Sequence, residues 1–289
     1  MESFYSSTKL DISVNATFIA LIPEKKNVMN ISKFISISLV GSVYKIVAKV
    51  LSRRLKLVTG PLISENQCAF LKGRQIYDGI LITNEILHSV ELVILKLDFS
   101  KAYDCVRWDF LEMVLIKMGF GNKWRSWIRE CTSTPRISML VNGSTTREFI
   151  IRRGLRQGDP LPLYLFIMVT KALNLLILAA ERCGAIEGIS NMLPDYSFTH
   201  LQFADDTVLF LGTLEKSLIN VKLRCFEACS GLSINFNKPC LVGVVGVEIE
   251  TVNRLAMLCG CQVGSLLINY LGIPLGVDPK ESKDMGSSS

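Results

Sequence analysis

Apolar positions along this chain recur at two spacings, one suited to strands and one to helices. The run Leu92-Val93-Ile94-Leu95-Lys96-Leu97 is short and almost continuously apolar, which predicts a buried strand that ends at Asp98. Two further runs, Phe198 to Gln202 and Thr207 to Leu211, flank Phe203-Ala204-Asp205-Asp206 and predict a β-hairpin with both acids at its tip. Arg136 to Val141 is expected to pair with Arg147 to Ile151 through Asn142-Gly143, a dipeptide suited to the left-handed conformations of a tight hairpin turn. Helical spacing governs Val43 to Leu57 and Asp109 to Met118, and also Leu214, Leu218, Val221, Cys225 and Ala228, with Gly231 as the stop. The longest apolar segment, Tyr164 to Ala180, follows Asp159-Pro160, an N-cap and a residue preset for a first helical turn. Strand, helices, two-strand hairpin, helix and strand in this order predict an α+β domain with a split βαβ unit of ferredoxin-like type, an antiparallel sheet carrying packed helices.

The acids change this picture from architecture to chemistry. Adjacent carboxylates repel one another, so Asp205 and Asp206 are tolerable only if solvated or neutralised by bound cations. Taken alone, such a pair is more often an ordinary acidic turn, because Asp hydrogen-bonds its own backbone there. Asp98 weighs against that reading. A strand end can aim it into a cleft as a third carboxylate, and phosphoryl transfer by two metals about 3.5 to 4 Å apart needs carboxylates that bridge both ions. Tyr103 by itself reads as a core aromatic or as a ring lying against the sugar of a bound nucleotide. In Gly154-Leu155-Arg156-Gln157-Gly158-Asp159-Pro160-Leu161, Gly158 lets backbone approach a ligand, and Arg156 and Gln157 can donate hydrogen bonds to phosphate or base. On its own that loop is only a helix start.

Together and in this order, these segments resemble the reverse transcriptase of LINE-type non-LTR retrotransposons, the plant lineage especially, from Asn15 to Gly276. The pieces are NATFIALIPEKK at 15–26, SLVGSVYKIVAKVLSRRL at 38–55, LISENQCAFLKGRQIYDGIL at 62–81, LDFSKAYD at 97–104, GLRQGDPL at 154–161, FADD at 203–206, GLSINFNK at 231–238 and YLGIPLG at 270–276. The resemblance implies the fingers and palm of a right-hand polymerase, with a lead-in at 1–14, fingers at 15–90, mainly palm at 91–240 and palm end with primer grip at 241–276. Residues 277–289 have no packing pattern and read as a disordered tail. By the same resemblance, Asp98, Asp205 and Asp206 hold two Mg²⁺ ions, or Mn²⁺, and Lys238 stands near the leaving pyrophosphate as a cation or proton donor. Tyr103 selects deoxynucleoside triphosphates. Phe99, Arg156, Gln157 and Gly158 belong to the nucleotide-binding set, and Lys72 and Arg74 approach template and triphosphate. Tyr270, Leu271 and Gly272 position the end of a DNA primer on an RNA template.

Three departures from the family pattern bear on activity. Where the family usually reads Arg-Pro-Ile-Ser, this chain has Ile35-Ser36-Ile37-Ser38, which removes a basic contact of the fingers; Pro162-Leu163 replaces a usual Ser-Pro; and the connection from His88 to Glu91 is several residues short. A second reading is therefore a truncated, inactive retrotransposon relic that at most binds nucleic acid. A palm-fold nucleotide cyclase would have no reason to carry Tyr103 or the RQGDP loop.

Composition narrows the setting. The chain has 289 residues, enough for one large domain or two subdomains, and a positive mean hydropathy that points to buried elements and to surfaces facing missing neighbours. Leu161 to Ala180 has the length of a membrane span, but Pro162, Lys171 and Asn174 interrupt it, so a core helix and no membrane partner are expected. Met1 to Thr17 lacks the pattern of a secretory signal, which implies an intracellular protein. Nine cysteines without a CxxC pair and only two histidines argue against a disulfide framework, a disulfide-linked partner or a zinc site, and the sequons at Asn15, Asn30 and Asn142 are expected to stay unmodified. Net charge is +6, and two clusters concentrate it: Lys45, Lys49, Arg53, Arg54 and Lys56 on one helix, and Arg147, Arg152, Arg153 and Arg156 around the glycine loop. Such clusters suit phosphate backbones.

Overall fold

The computed structural model describes residues 2–23, 25–71, 73–74, 83, 92–186, 189–193, 196–211, 218–236, 238–243, 247–264, 268–270 and 273–275. In chain order the elements are α1 (Glu2–Ser7), β1 (Thr17–Pro23), β2 (Phe34–Val40), α2 (Ser42–Leu62), β3 (Val93–Leu97), α3 (Ala102–Cys105), α4 (Trp108–Lys117), α5 (Asn122–Ser133), β4 (Arg136–Val141), β5 (Ser144–Thr145) and β6 (Phe149–Ile150). There follow α6 (Pro160–Arg182), β7 (Ile189–Leu193), β8 (Tyr196–Phe198), β9 (His200–Phe203), β10 (Asp206–Leu211), α7 (Leu218–Ser230), β11 (Pro239–Gly243), α8 (Ile249–Cys259), β12 (Gln262–Val263), β13 (Ile268–Tyr270) and β14 (Ile273–Leu275). Two compact units share these elements, one of residues 1–63, 101–172 and 228–232, the other of 64–100, 173–227 and 233–289.

The first unit is built on a sheet of order β2-β1-β4-β5, with β6 also against β4. β1 runs antiparallel to β2 and parallel to β4. α2 places Tyr44, Val47, Ala48, Leu51 and Leu55 on its buried face and leaves Lys45, Lys49, Arg53, Arg54 and Lys56 exposed, as helical spacing requires. The hairpin after β4 turns at Asn142 (φ 49°) and Gly143 (φ 79°), both left-handed as the dipeptide predicts. Its return strand is not the single Arg147 to Ile151 strand expected. Thr146 folds back onto Met139, exchanging backbone and hydroxyl hydrogen bonds of 3.0 and 2.9 Å, so β5 and β6 form separate pieces of that return. Gly231 ends α7 at φ 80°, and a Cβ there would stand 2.4 Å from the Cys105 carbonyl oxygen, so only glycine fits this stop.

The second unit contains a sheet of order β12-β11-β3-β10-β9, antiparallel at every pairing except β11 with β12. β3 is its centre, with Val93, Ile94, Leu95 and Leu97 fully buried. Leu223 and Phe226 of α7 are buried as well, and Phe226 meets Phe99 edge-on at 6.3 Å. The second half of α6 brings Asn174 into this unit, where its side chain bonds His200 Nε2 at 2.7 Å and accepts from the Ser64 hydroxyl at 2.5 Å.

α6 is long and apolar enough to cross a membrane, yet Leu161, Leu165, Phe166, Met168, Val169, Leu173 and Ile177 are buried inside the protein. Asn15 is buried too, donating to the Glu130 carbonyl at 3.2 Å and the Thr134 hydroxyl at 2.8 Å, which removes it as a glycan acceptor in the folded chain. Sheet residues Phe18, Ile22, Ile35 and Leu39 remain exposed. Leu214, the connection before Glu91 and the tail 277–289 lie outside the described residues.

Candidate active site

The strand and hairpin that carry the acids are neighbours in one sheet. β3 pairs with β10 so that Leu97 faces Thr207 and Lys96 faces Val208. One residue further, the same register sets Asp98 opposite Asp206. In an antiparallel pair opposite residues share a face, and so do alternate residues along each strand. Lys96, Asp98, Asp206 and Val208 therefore share one face. β9 and β10 close the hairpin with Phe203 facing Asp206, and the turn between them holds Ala204 at φ 53°.

Electrostatics follows from this crowding. Burial pushes the Asp205 carboxyl above its ordinary range, and the charges of Asp206 and Asp98 push it further. Asp206 is raised by burial and by Asp98, against the opposing charge of Lys96. Two lysines answer the acids: Lys96 Nζ lies 3.7 Å from Asp206, and Lys238 pairs directly with Asp98. The Asn235 N–H donates to the Asp98 carbonyl at 2.8 Å, tying the strand end to the segment that supplies Lys238. Lys96 was absent from the expected site residues; its one signal in the sequence is a lone charge inside an otherwise apolar strand.

Among the described residues no three carboxylate, imidazole or thiol groups converge tightly enough to hold one ion as they stand. The donor set nevertheless fits a hard divalent cation: it is all oxygen, its acids repel one another, and two ammonium groups already sit where positive charge is favoured. A cation bound there would take the place of Lys96 and Lys238 against the carboxylates.

The glycine loop belongs to the first unit. Asp159 caps α6, its carboxylate accepting from the Leu161 N–H at 3.1 Å, as the sequence predicts. Gly158 adopts φ 96°, and a Cβ there would lie 3.3 Å from the Ser38 carbonyl oxygen; the close approach is to β2. The Gln157 carbonyl accepts from the Ser38 N–H at 2.9 Å, and the Gln157 side chain is half-buried. Arg156 departs from its expected direction. It is buried and donates to the Thr17 hydroxyl at 2.9 Å and the Cys131 carbonyl at 2.7 Å, lies over the Tyr44 ring at 3.9 Å and stands 3.8 Å from Asp159. A desolvated guanidinium is held where acceptors surround it, and here those acceptors are internal.

Tyr103 is half-buried and stacks on Phe166 with centroids 4.6 Å apart. Phe99 is buried and bridges Ile234. Arg74 turns its guanidinium to the carbonyls of Ser64 and Gln67, the latter at 2.6 Å. Tyr270 ends β13 opposite Ile273 in a short hairpin. Lys72, Leu271 and Gly272 lie outside the described residues.

The family described as reverse transcriptase (RNA-dependent DNA polymerase) matches residues 22–275. The chain is 27% identical over 284 residues to the Transposon TX1 uncharacterized 149 kDa protein of Xenopus laevis, covering 95% of this chain and 21% of that protein. It is 25% identical over 240 residues to a retrovirus-related Pol polyprotein from the type-1 retrotransposable element R2 of Popillia japonica, covering 78% of this chain and 31% of that protein. The chain thus spans only a fifth to a third of these relatives. Telomerase from Candida tropicalis, solved with a fragment of telomeric RNA, matches the fold at a TM-score of 0.58 and 14% identity, over 100% of this chain and 48% of that one. The fold is that of a right-hand polymerase, and with the family matched from residue 22 to residue 275 the chain belongs to the reverse transcriptases, as a domain of the non-LTR retrotransposon type.

Proposed function

We propose that this chain is the catalytic part of an RNA-directed DNA polymerase that joins deoxynucleoside triphosphates to a primer 3′-hydroxyl on an RNA template. The observation that carries this reading is the meeting of Asp98, Asp205 and Asp206 at one end of a single sheet, where burial and mutual repulsion raise Asp205 and Asp206 and Lys238 pairs with Asp98. Asp98, Asp205 and Asp206 would hold two Mg²⁺ ions, with Mn²⁺ as a substitute. Held by these acids, the ions would supply a Lewis acid for the attacking hydroxyl and for the charge of the triphosphate. Lys238, released from Asp98, offsets charge on the leaving pyrophosphate. The Tyr103 ring, steadied by Phe166, excludes a 2′-hydroxyl. Gln157 and Gly158 face the incoming base pair, with Arg156 bracing their loop from inside. Tyr270, Leu271 and Gly272 position the primer.

A plant lineage is part of the proposal, supported by 46% identity over 70 residues, 24% of this chain, to the uncharacterized mitochondrial protein AtMg01250 of Arabidopsis thaliana. So are an intracellular setting and a fingers role for 15–90 and a palm role for most of 91–240.

A second reading, nucleic-acid binding without synthesis, is favoured by Ile35: it is partly exposed where the family usually carries arginine. Primer extension on an RNA template with Mg²⁺, run beside Asp205→Asn, separates the two. Extension that the substitution removes supports the polymerase; binding without extension in either protein supports the relic; extension that survives Asp205→Asn overturns the assignment of the acids.

A further inference from the structure

The turn that carries the two acids is gripped by a side chain from a distant part of the chain. Residues 66–68 lie alongside β9 as a short parallel bridge: the Gln202 N–H donates to the Asn66 carbonyl at 2.8 Å and the Cys68 N–H to the Gln202 carbonyl at 2.9 Å. That register carries the Gln67 side chain to the end of the strand. Gln67 is 2% exposed, and its Oε1 accepts from the Ala204 N–H at 3.0 Å and from the Ala69 N–H at 3.0 Å. Its Nε2 donates to the Ala204 carbonyl at 3.5 Å. Both backbone polar groups of the residue before Asp205 are therefore tied to one carboxamide.

Ala204 needs that grip. Its φ of 53° lies in the left-handed region, where a Cβ crowds the backbone and where glycine or asparagine is the usual occupant. Alanine has no side-chain oxygen to hold such a turn by itself. Gln67 is in turn anchored: Arg74 donates to its carbonyl at 2.6 Å, and Asn66 donates to the His200 carbonyl at 2.9 Å, fixing the bridge to the strand that leads into the turn.

We propose that Gln67 is a positioning residue for the acidic turn, locking the Ala204 peptide in its left-handed conformation and so fixing the direction in which Asp205 and Asp206 leave the hairpin. This rests on the proposed cation-binding role of those acids. Carboxylates that must share two ions tolerate only small displacements, so a turn free to flip its Ala204 peptide would bind the ions more weakly while the sheet behind it stayed intact.

The test uses the full chain with Gln67→Leu, and Gln67→Asn as a milder variant that keeps the amide but is one methylene too short to reach. Amide hydrogen exchange on the metal-free chain reads the grip directly, and Mn²⁺ titration followed by electron paramagnetic resonance reads its consequence. Exchange at Ala204 should quicken about tenfold in Gln67→Leu and by less in Gln67→Asn, with Val208 to Phe210 in β10 unchanged, and the Mn²⁺ dissociation constant should rise about tenfold in Gln67→Leu. Unchanged exchange at Ala204 overturns the proposal. So does faster exchange with wild-type Mn²⁺ affinity, provided Asp205→Asn abolishes that binding. If Mn²⁺ binding survives Asp205→Asn, the cation reading itself has failed and this inference falls with it, by a control that identifies which of the two was wrong.

Discussion

Both compact units bury acids, and in both units burial raises the carboxyl groups above their ordinary range. What answers the acids differs. In the first unit Asp159 caps a helix and lies 3.8 Å from Arg156, and Asp104 accepts from the Ser36 hydroxyl on both oxygens at 3.2 and 3.0 Å. In the second, the charges of Asp206 and Asp98 push the Asp205 carboxyl up, Asp98 does the same to Asp206, and among the described residues the side chains that oppose them are lysines. A buried acid surrounded by donors is part of the scaffold. A half-buried acid opposed by its own kind is, on the proposed function, kept for a cation that binds later.

The widest separation between the two regions should come from cation response. Mg²⁺ at a hundred times its dissociation constant should stabilise the wild-type chain by about 2.7 kcal/mol. Asp205→Asn should abolish that gain in a thermal melt together with primer extension, whereas Asp159→Asn, which keeps the capping oxygen, should retain it. Equal responses from the two substitutions would erase the distinction.

Comparable in free energy, though without a loss of activity to read, is the effect of removing each region's cation. Arg156→Met leaves the Asp159 carboxylate buried and unpaired, and such losses run at about 3 to 5 kcal/mol. Lys238→Met breaks an ion pair with substantial solvent exposure and should lower stability by less than about 1 kcal/mol. Chemical denaturation of both variants measures the contrast. Similar losses would mean that the lysine is scaffold too.

A smaller effect concerns pH, and its sign is opposite to that of an ordinary salt-bridged carboxylate. Asp205 and Asp206 titrate above the ordinary value of 3.8 when folded, so the native chain holds more protons than the unfolded chain between that value and the raised ones. Stability of the metal-free protein is therefore lost from this source as pH rises through that window. Asp205→Asn removes its share, so the mutant's melting temperature minus that of the wild type should increase with pH and then level off. Saturating Mg²⁺ at neutral pH should reverse the order of the two proteins. A difference that shrinks with rising pH would show that the Asp205 charge is already satisfied without a cation.

Short-range signals in the sequence carried much of this. The apolar run into Asp98, the hairpin at Ala204-Asp205, the Asn142-Gly143 turn, the Asp159 cap and the Gly231 stop all appear where the residues imply, because each is decided within a few neighbouring positions. Long-range partnerships were hidden. Periodicity shows that Arg156 lies beside a helix start, but nothing local says that Thr17 and Cys131 would turn it inward. Ser36 looks like a loss from a family motif, yet it meets Asp104, 68 residues away, and takes up a structural role there. Gln67 lies within the family-like segment 62–81 but is given no role there, and the one proposed for it depends on a bridge to Gln202. For the same reason each of the two units draws on three separate stretches of the sequence.

The exposed face of α2 has a thermodynamic consequence of its own. Lys45, Lys49, Arg53 and Lys56 recur at intervals of three and four, which aligns them in one stripe over about 16 Å of helix. A polyanion lying along that stripe would release roughly one condensed counterion for each phosphate neutralised. Four such contacts give a slope of about −3.6 for log K against log[salt] on duplex, or about −2.8 on a single strand. Between about 50 and 200 mM salt, affinity for duplex would fall about a hundredfold with no change in any contact. The ionic medium, as much as any residue at the acidic turn, would set how long this chain stays on a nucleic acid.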